Sequence, residues 1–278
     1  MPCDLCDDTG WKAAVESGVR RVVRCDCWYQ KGAASRIARA NIPKRYQHCA
    51  FSNFRAYNDS LKRGLGFARR VVDEFPLDRG LLLIGLPGVG KTHLAVATLR
   101  AWIDQGGTGL FYTTIDLMSV LRGTYSGSEK LTESEMLDKV TKVDMLVLDE
   151  LGRERVTEWR DEILHLIVNA RYSHRRATIF TTNYDIDDST NPDGLQARVG
   201  FRIYSRLHEM CEFIHVDGAD FRERPTNAGD DDLIAMWKMR SSTKRSSVLP
   251  TKSKGQLRAQ IGRGKELGWS GGKAGTGD

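Results

Sequence analysis

The chain has 278 residues, of which 40% are hydrophobic and 28% are charged, a composition typical of soluble globular proteins. No apolar run approaches the roughly 20 residues that span a bilayer, and no basic segment followed by an apolar one opens the chain, so we expect a cytoplasmic protein without a membrane partner. The formal charge of +6 is concentrated in residues 238–278, which hold ten Lys and Arg against two acidic residues, a net charge of +8 that leaves −2 for the rest. The basic charge therefore does not by itself indicate a nucleic-acid-binding body.

The first 30 residues contain four of the six cysteines, Cys3, Cys6, Cys25 and Cys27. Two closely spaced pairs separated by 18 residues are typical of structural zinc sites, although the second pair, C-x-C, is tighter than the usual C-x₂-C. In a reducing cytoplasm such clustering favours a metal over disulfides, and four unrelated thiols are the alternative. The pattern predicts a small module that Zn²⁺ helps to fold, with all four metal positions filled and hence no metal catalysis.

Changes in composition predict four regions in the chain. Residues 1–30 form the cysteine-rich module, residues 31–42 a linker, and residues 43–225 a domain in which apolar strand-like runs alternate with amphipathic stretches. From residue 226 onward Gly, Ser, Lys and Arg dominate, which predicts a largely disordered basic tail. This tail is either a flexible DNA-binding arm or a solubilising end.

The middle region predicts strands and helices in alternation. Strands are expected at 80–84, 109–113, 145–148 and 178–182, and helices at 91–105, 115–122, 133–139 and 158–171. Such alternation implies right-handed crossovers and an α/β fold, with a mostly parallel sheet between helices. Ligands of such sheets bind at the carboxyl ends of the strands.

A glycine-rich loop lies between the first of these strands and the helix that follows it. Its sequence is the full phosphate-binding motif GxxxxGK[ST]: Gly85-Leu86-Pro87-Gly88-Val89-Gly90-Lys91-Thr92. Backbone N–H groups of this loop, together with the helix N-terminus, suit the phosphates of ATP. We expect Lys91 to reach the β- and γ-phosphates and the Thr92 hydroxyl to bind Mg²⁺.

Two further strand ends carry polar residues that complete a hydrolytic site. The apolar run 145–148 ends in Asp149 and Glu150, which predicts a Mg²⁺-binding carboxylate followed by a general base for the attacking water. The strand at 178–182 is followed by Asn183, which can hold that water or can simply open a turn toward Asp185. The three residues are expected to meet at one edge of the sheet.

The ordered set of motifs resembles AAA+ ATPases, and more narrowly the DnaC/DnaI-type replicative helicase loaders and the related IstB transposition helpers. The similarity runs over about two thirds of the chain, from Ile42 to Arg222. In chain order its motifs are Ile42-Pro43-Lys44-Arg45-Tyr46, Phe51-Ser52-Asn53-Phe54, the phosphate loop with Thr92-His93-Leu94-Ala95, Leu148-Asp149-Glu150-Leu151-Gly152, Asn169-Ala170-Arg171-Tyr172, Thr182-Asn183, Ser205-Arg206-Leu207 and Asp220-Phe221-Arg222.

The resemblance implies roles for further residues. His93 belongs to the nucleotide-binding segment, and Asn183 takes the sensor-1 position. Arg206 matches the arginine finger, which acts on ATP held by a neighbouring subunit, and Arg222 matches the sensor-2 arginine at the nucleotide. A solvated surface arginine is the alternative for both.

In the loaders, single-stranded DNA lies along the inner face of a spiral of subunits. The resemblance places the contacts at Tyr125, Thr157 and Trp159, and aromatic faces stack on bases at roughly 1–3 kcal/mol each. Ordinary packing is the alternative for the two aromatic residues. Some loaders also grip the replicative helicase with a cysteine-rich N-terminal module, the role that residues 1–30 would take.

Three functions follow from the sequence. The first is an ATP-dependent loader of the replicative helicase that binds single-stranded DNA and assembles into an oligomer. The second is an IstB-like ATPase helper of DNA transposition, which usually lacks a cysteine-rich front end. The third is an adaptor that binds ATP as a switch with little turnover, against which the full set of hydrolytic residues argues.

Overall fold

The computed structural model describes residues 3–7, 9–16, 19–74, 79–125, 132–186 and 191–246. The chain divides into two units, Met1–Lys238 and Met239–Asp278. No helix within the described ranges is long and apolar enough to cross a membrane.

The first unit begins with an antiparallel hairpin of β1 (Trp11–Glu16) and β2 (Val19–Arg24), in which Trp11 pairs with Arg24. Helix α1 (Asp26–Arg39) follows, so the segment 31–42 that we predicted as a linker is largely helical. Two observations tie its end to the body. Arg36 donates to the carbonyl of Ile103, and Ala40 is fully buried in the core. The alanine-rich sequence of this segment favours a helix over a linker.

The body is a five-stranded sheet in which every pairing is parallel, with strand order β4-β5-β6-β3-β7. Its strands are β3 (Gly80–Ile84), β4 (Gly109–Thr113), β5 (Met145–Asp149), β6 (Thr178–Thr182) and β7 (Cys211–His215). The helices are α2 (Asp59–Asp73), α3 (Lys91–Asp104), α4 (Thr114–Tyr125), α5 (Glu133–Lys142), α6 (Glu158–Ser173), α7 (Leu195–Val199), α8 (Phe201–Met210) and α9 (Asp230–Ser246). The predicted α/β fold is confirmed.

Helices cover both faces of the sheet because its strands are apolar on both sides. On β3, Leu81 and Leu83 belong to one core cluster, with α2 and α3, whereas Leu82 and Ile84 belong to the other, with α4 to α8. Alternate side chains of a strand point to opposite faces, so an uninterrupted apolar run requires two cores.

The C-terminal helix α9 lies where the sequence predicted a tail. Leu233 is fully buried in the core, and Trp237 donates its indole N–H to a carboxylate oxygen of Asp217 at 2.9 Å. The predicted start of the tail at residue 226 is therefore too early, because Leu233 is buried in the core and Ile234, Met236 and Trp237 pack against it. Residues 247–278 lie outside the described part of the chain, and the prediction of a disordered tail falls there.

Candidate functional site

The phosphate-binding loop connects β3, a strand with neighbours on both sides, to α3, whose N-terminus opens at the carboxyl edge of the sheet. Gly90 caps the helix with φ of 103°, a left-handed conformation that glycine adopts without steric cost. Gly88 has φ of 82°, and a Cβ there would overlap the carboxylate of Asp220. The predicted loop thus has the glycines that its backbone requires.

Lys91 is held over the loop by three oxygen atoms. Its Nζ donates to the carbonyls of Gly85 and Leu86, both at 2.8 Å, and to Oδ1 of Asn183 at 2.7 Å. The structure therefore brings the predicted phosphate-binding lysine and the predicted sensor residue, from the ends of β3 and β6, into direct contact.

Thr92 and Asp149 form a pair of oxygen ligands at the same edge. The Thr92 hydroxyl lies 3.0 and 3.1 Å from the two carboxylate oxygens of Asp149, and the Thr181 hydroxyl donates to one of these oxygens at 2.5 Å. Burial raises the pKa of the Asp149 carboxyl, since a charge is poorly solvated there. A hydroxyl and a carboxylate placed together are hard oxygen ligands, so these residues fit the implied Mg²⁺ ion.

Glu150 is the first residue beyond β5 and has an unusual backbone, with φ of 60°. Non-glycine residues in this conformation store strain that is often found at active sites. Its two carboxylate oxygens each accept a hydrogen bond at 2.6 Å from Nη1 of Arg153, a residue to which the sequence assigned no role.

Lys91, Thr92, Glu150 and Asn183 line one cavity of about 650 Å³, and the buried Asp149 lies behind Thr92. The cavity wall includes aromatic residues from the segment before α2 and from the segment after β7, namely Tyr46, Phe54 and Phe221, which the sequence placed in the family pattern without a role in binding. Described lining residues are Arg45, Tyr46, His48, Asn53, Phe54, Arg55, Pro87, Gly88, Gly90, Lys91, Thr92, His93, Glu150, Arg153, Thr181, Asn183, Phe221, Arg222 and Arg224. Phe221 lies far along the chain from Tyr46 and Phe54, and no local pattern in the sequence indicated that the three aromatic residues share one wall.

Two predicted nucleotide-site residues lie in this wall. His93 Nε2 is 2.9 Å from Oδ1 of Asn53 and 3.2 Å from the carbonyl of Ala50, and burial lowers the pKa of its imidazole. Arg222 follows Phe221, whose N–H donates to the carbonyl of Gly88 at 3.0 Å. The segment after β7 therefore lies against the phosphate loop and brings Arg222 to the cavity.

Arg206 lies elsewhere, on α8, and is absent from the described residues that line the cavity. Its guanidinium lies 5.7 Å from the ring centroid of Tyr172 and donates to the carbonyl of Arg202 at 3.4 Å. The chain's own fold does not bring this arginine to its own phosphate loop.

The two segments that are predicted to contact DNA approach each other where α4 ends and α6 begins. Thr157 is the N-cap of α6, and its hydroxyl accepts the N–H of Arg160 at 3.2 Å. Trp159 is half-buried, with the Arg122 guanidinium 4.8 Å from its ring centroid. Tyr125, the last residue of α4, lies one turn beyond Arg122, so the backbone brings the two predicted segments together.

A buried ion pair lies directly beneath this turn. Arg160 donates through Nε and Nη2 to one oxygen of Glu154, at 2.9 and 2.5 Å. The other oxygen of Glu154 accepts the Thr114 hydroxyl at 2.7 Å, and Arg160 also donates to the carbonyl of Arg198 at 2.8 Å. No motif or pattern in the sequence indicates this network, because Glu154 lies in a polar loop and Arg160 lies in the charged first turn of a predicted helix, so both look like surface charges.

The four N-terminal cysteines form the predicted cluster, with all Sγ atoms within 4.8 Å of one another. The Cys3–Cys25 and Cys6–Cys27 sulfur distances are 3.7 and 3.2 Å, far longer than the ~2.05 Å of a disulfide. Four sulfurs at the ~2.3 Å bond length of tetrahedral Zn²⁺ lie about 3.8 Å apart, so the cluster fits that ion. Cys49 and Cys211 are buried thiols elsewhere in the body.

Comparison with known proteins agrees with this architecture. The family model described as IstB-like ATP binding protein matches residues 72–228. The replicative helicase loader DnaC of Buchnera aphidicola subsp. Acyrthosiphon pisum is 31% identical over 172 residues, which cover 62% of this chain and 68% of that protein.

Two solved structures of loaders have similar folds. A crystal structure of the DnaC helicase loader is 35% identical, with a TM-score of 0.56, and the match covers 63% of this chain and 100% of that one. A crystal structure of DnaI is 26% identical, with a TM-score of 0.55, covering 63% of this chain and 95% of that one. With its phosphate loop, acidic strand end and parallel sheet, the chain belongs to the IstB-like, DnaC-related family of AAA+ ATPases.

Proposed function

We propose that this protein hydrolyses ATP and acts as a loader of the replicative DNA helicase. The observation that carries the hydrolytic part is the convergence of Lys91, Thr92, Asp149, Glu150 and Asn183 at one edge of the sheet, beside a cavity of about 650 Å³. The similarity to DnaC, a replicative helicase loader by name, supports the cellular role.

In this proposal each residue has one task. The loop from Gly85 to Gly90 and Lys91 bind the phosphates of ATP, and Thr92 with Asp149 would hold Mg²⁺, which when bound would supply positive charge to the phosphates. Glu150 accepts the proton of the attacking water and Asn183 orients that water.

Two arginines complete the proposed site. Arg222 contacts the nucleotide from the wall of its own subunit. Arg206 acts on the ATP of a neighbour, which makes turnover depend on assembly into a spiral; its absence from the described residues that line the chain's own cavity supports this role.

In this proposal, different regions of the chain hydrolyse ATP, bind the helicase and bind DNA. Residues 43–225, extended by α9, form the ATPase, and residues 1–30 form a Zn²⁺-bound module that docks on the helicase. Tyr125, Thr157 and Trp159 would contact single-stranded DNA, supported by the meeting of α4 and α6 at this point. These partners require a cytoplasmic location.

An IstB-like helper of DNA transposition is the second candidate, and the match to the IstB-like family model favours it. Steady-state ATPase measurements with single-stranded DNA, duplex DNA or no DNA separate the two. Stimulation by single strands supports loading, and stimulation by duplex alone supports transposition.

The control for these measurements is Glu150→Gln, which should bind ATP and lose turnover. Arg206→Ala mixed with Glu150→Gln should regain partial turnover, since each variant would supply the group that its neighbour lacks. ATP binding without turnover under every condition would leave only the adaptor function.

The loading step has its own test. Full-length protein should retain the replicative helicase of its host in a pull-down, and Cys6→Ser should lose the helicase while keeping ATP binding. Retention by Cys6→Ser at the wild-type level would contradict docking through the zinc module.

A further inference from the structure

We infer that Arg153 is a positioning residue that restrains the Glu150 carboxylate and thereby limits the rate of hydrolysis. The inference rests on the proposed hydrolytic function, in which Glu150 accepts the proton of the attacking water. It starts from one contact, the approach of a single guanidinium nitrogen to both carboxylate oxygens at 2.6 Å.

The backbone of Glu150 is fixed on both sides of its Cα. Its N–H donates to the Thr181 hydroxyl at 3.0 Å, and its carbonyl accepts from the Thr114 hydroxyl at 3.0 Å and from the N–H of Arg153 at 3.1 Å. Together with the left-handed φ of 60°, these bonds leave side-chain rotation as the way to move the carboxylate.

Arg153 holds that side chain from within the same turn. Gly152, with φ of 87°, reverses the chain so that Arg153 lies over Glu150 three residues earlier. Among the hydrogen bonds of the described residues, those from Arg153 are the ones that the Glu150 carboxylate accepts. Both groups also line the nucleotide cavity, so the restraint acts where water would be activated.

The contact should slow hydrolysis because both carboxylate oxygens of Glu150 already accept hydrogen bonds from Arg153. An oxygen that accepts from Nη1 and points toward Arg153 is not oriented to accept a proton from water, so Glu150 must first turn away. The pair is partly exposed, at 58% for Arg153 and 29% for Glu150, so solvent screens it. Exposed pairs contribute up to about 1 kcal/mol, which corresponds to an effect of up to about five-fold on rate.

The test compares Arg153→Ala with Arg153→Lys in the full-length protein. At saturating Mg-ATP we expect Arg153→Ala to raise kcat about two- to five-fold, with KM and the Kd for a non-hydrolysable ATP analogue unchanged. Because a single nitrogen makes both contacts, an ammonium can replace it, and Arg153→Lys should stay near the wild-type kcat. A rise in kcat without a change in KM is not expected from a merely structural residue.

The other outcomes show whether the role of Arg153 fails alone or fails together with the proposed hydrolytic function. Wild-type turnover that Glu150→Gln abolishes but Arg153→Ala leaves unchanged or lowers would overturn the role of Arg153 alone. A rise in kcat that Arg153→Lys shares in full would overturn restraint by the positive charge. Absence of turnover in the wild type and in Arg153→Ala, with ATP bound by both, would overturn the hydrolytic function and this inference together.

Discussion

Replacing Glu154 by methionine should be among the most destabilising single changes in the chain. Glu154 and Arg160 side chains are only 5% and 1% exposed, and the guanidinium makes two hydrogen bonds to one carboxylate oxygen. Methionine keeps most of the side-chain volume but removes the charge and the acceptor. The Arg160 guanidinium would then remain buried, with the half-exposed Asp161 as its remaining described carboxylate partner.

The magnitude follows from the burial of the remaining charge. Removing one partner of a buried ion pair costs about 3–5 kcal/mol, since the other charge is left without compensation in a poorly solvated place. For a domain of this size, 1 kcal/mol shifts Tm by about 2–4 °C, so Glu154→Met should lower Tm by roughly 6–20 °C. Thr114 also loses its acceptor on Glu154, which adds to the cost.

Urea denaturation followed by far-ultraviolet circular dichroism would measure the change. The matched control is Asp138→Asn, which breaks the exposed pair with Lys142 and should cost less than about 0.5 kcal/mol. The double variant Glu154→Met/Arg160→Met removes both charges together and should recover at least half of the stability lost by Glu154→Met alone.

Two results would refute the reasoning. The first is a cost below about 1 kcal/mol for Glu154→Met, which would mean that water reaches Arg160. The second is additivity of the two substitutions, which would mean that each side chain contributes through its own packing.

Four further predictions follow from the site and its surroundings. Full-length protein should contain one equivalent of zinc by metal analysis, and Cys6→Ser should release it and lower Tm; a stoichiometry below about 0.2 in freshly purified protein would count against the site. Gly88→Ala should abolish ATP binding in a fluorescent-nucleotide titration, because its Cβ would overlap the Asp220 carboxylate and its φ is positive. Asp149→Asn should lose turnover yet gain about 1 kcal/mol of stability at neutral pH, a common trade-off at functional sites. Because burial raises the pKa of the Asp149 carboxyl, the stability of the wild type should fall as pH rises through that pKa. The variant should lose this pH dependence of stability in urea titrations. Thr157→Ala should cost about 1 kcal/mol by removing the N-cap of α6, and no loss in thermal melts would show that another group caps the helix.

The sequence was sufficient for four of the five sheet strands and for the phosphate loop. Strands at 80–84, 109–113 and 178–182 match the structure residue for residue, because a short run of apolar and β-branched residues between two helices is typical of a buried parallel strand. The edge strand β7 was missed because its residues, Cys-Glu-Phe-Ile-His, are only partly buried and carry a weak apolar signal.

Which residues line the nucleotide cavity could not be predicted from the sequence in the same way. The approach of the segment around Tyr46 and Phe54 to the phosphate loop is a long-range contact that no local pattern encodes. Helix α9 was missed for a related reason, since a single fully buried residue, Leu233, lies in a segment of mostly polar and charged residues. Motifs identify the residues that do chemistry, whereas the residues that position them depend on tertiary structure.

The end of β6 illustrates how that positioning works. Backbone pairing of β5 with β6 ends at Leu148 and Phe180, so beyond this point Asp149 and Thr181 pair only with the strands on their other sides, β4 and β3. Thr181 takes over with its side chain and its backbone, because its hydroxyl donates to Asp149 and accepts the N–H of Glu150 while its carbonyl accepts the N–H of Leu151. One threonine thus fixes three consecutive residues and separates the two acids, with Asp149 turned inward toward Thr92 and Glu150 forced into its left-handed conformation. The different tasks of two adjacent carboxylates, one for a metal ion and one for water, therefore depend on a residue of the neighbouring strand that itself does no chemistry.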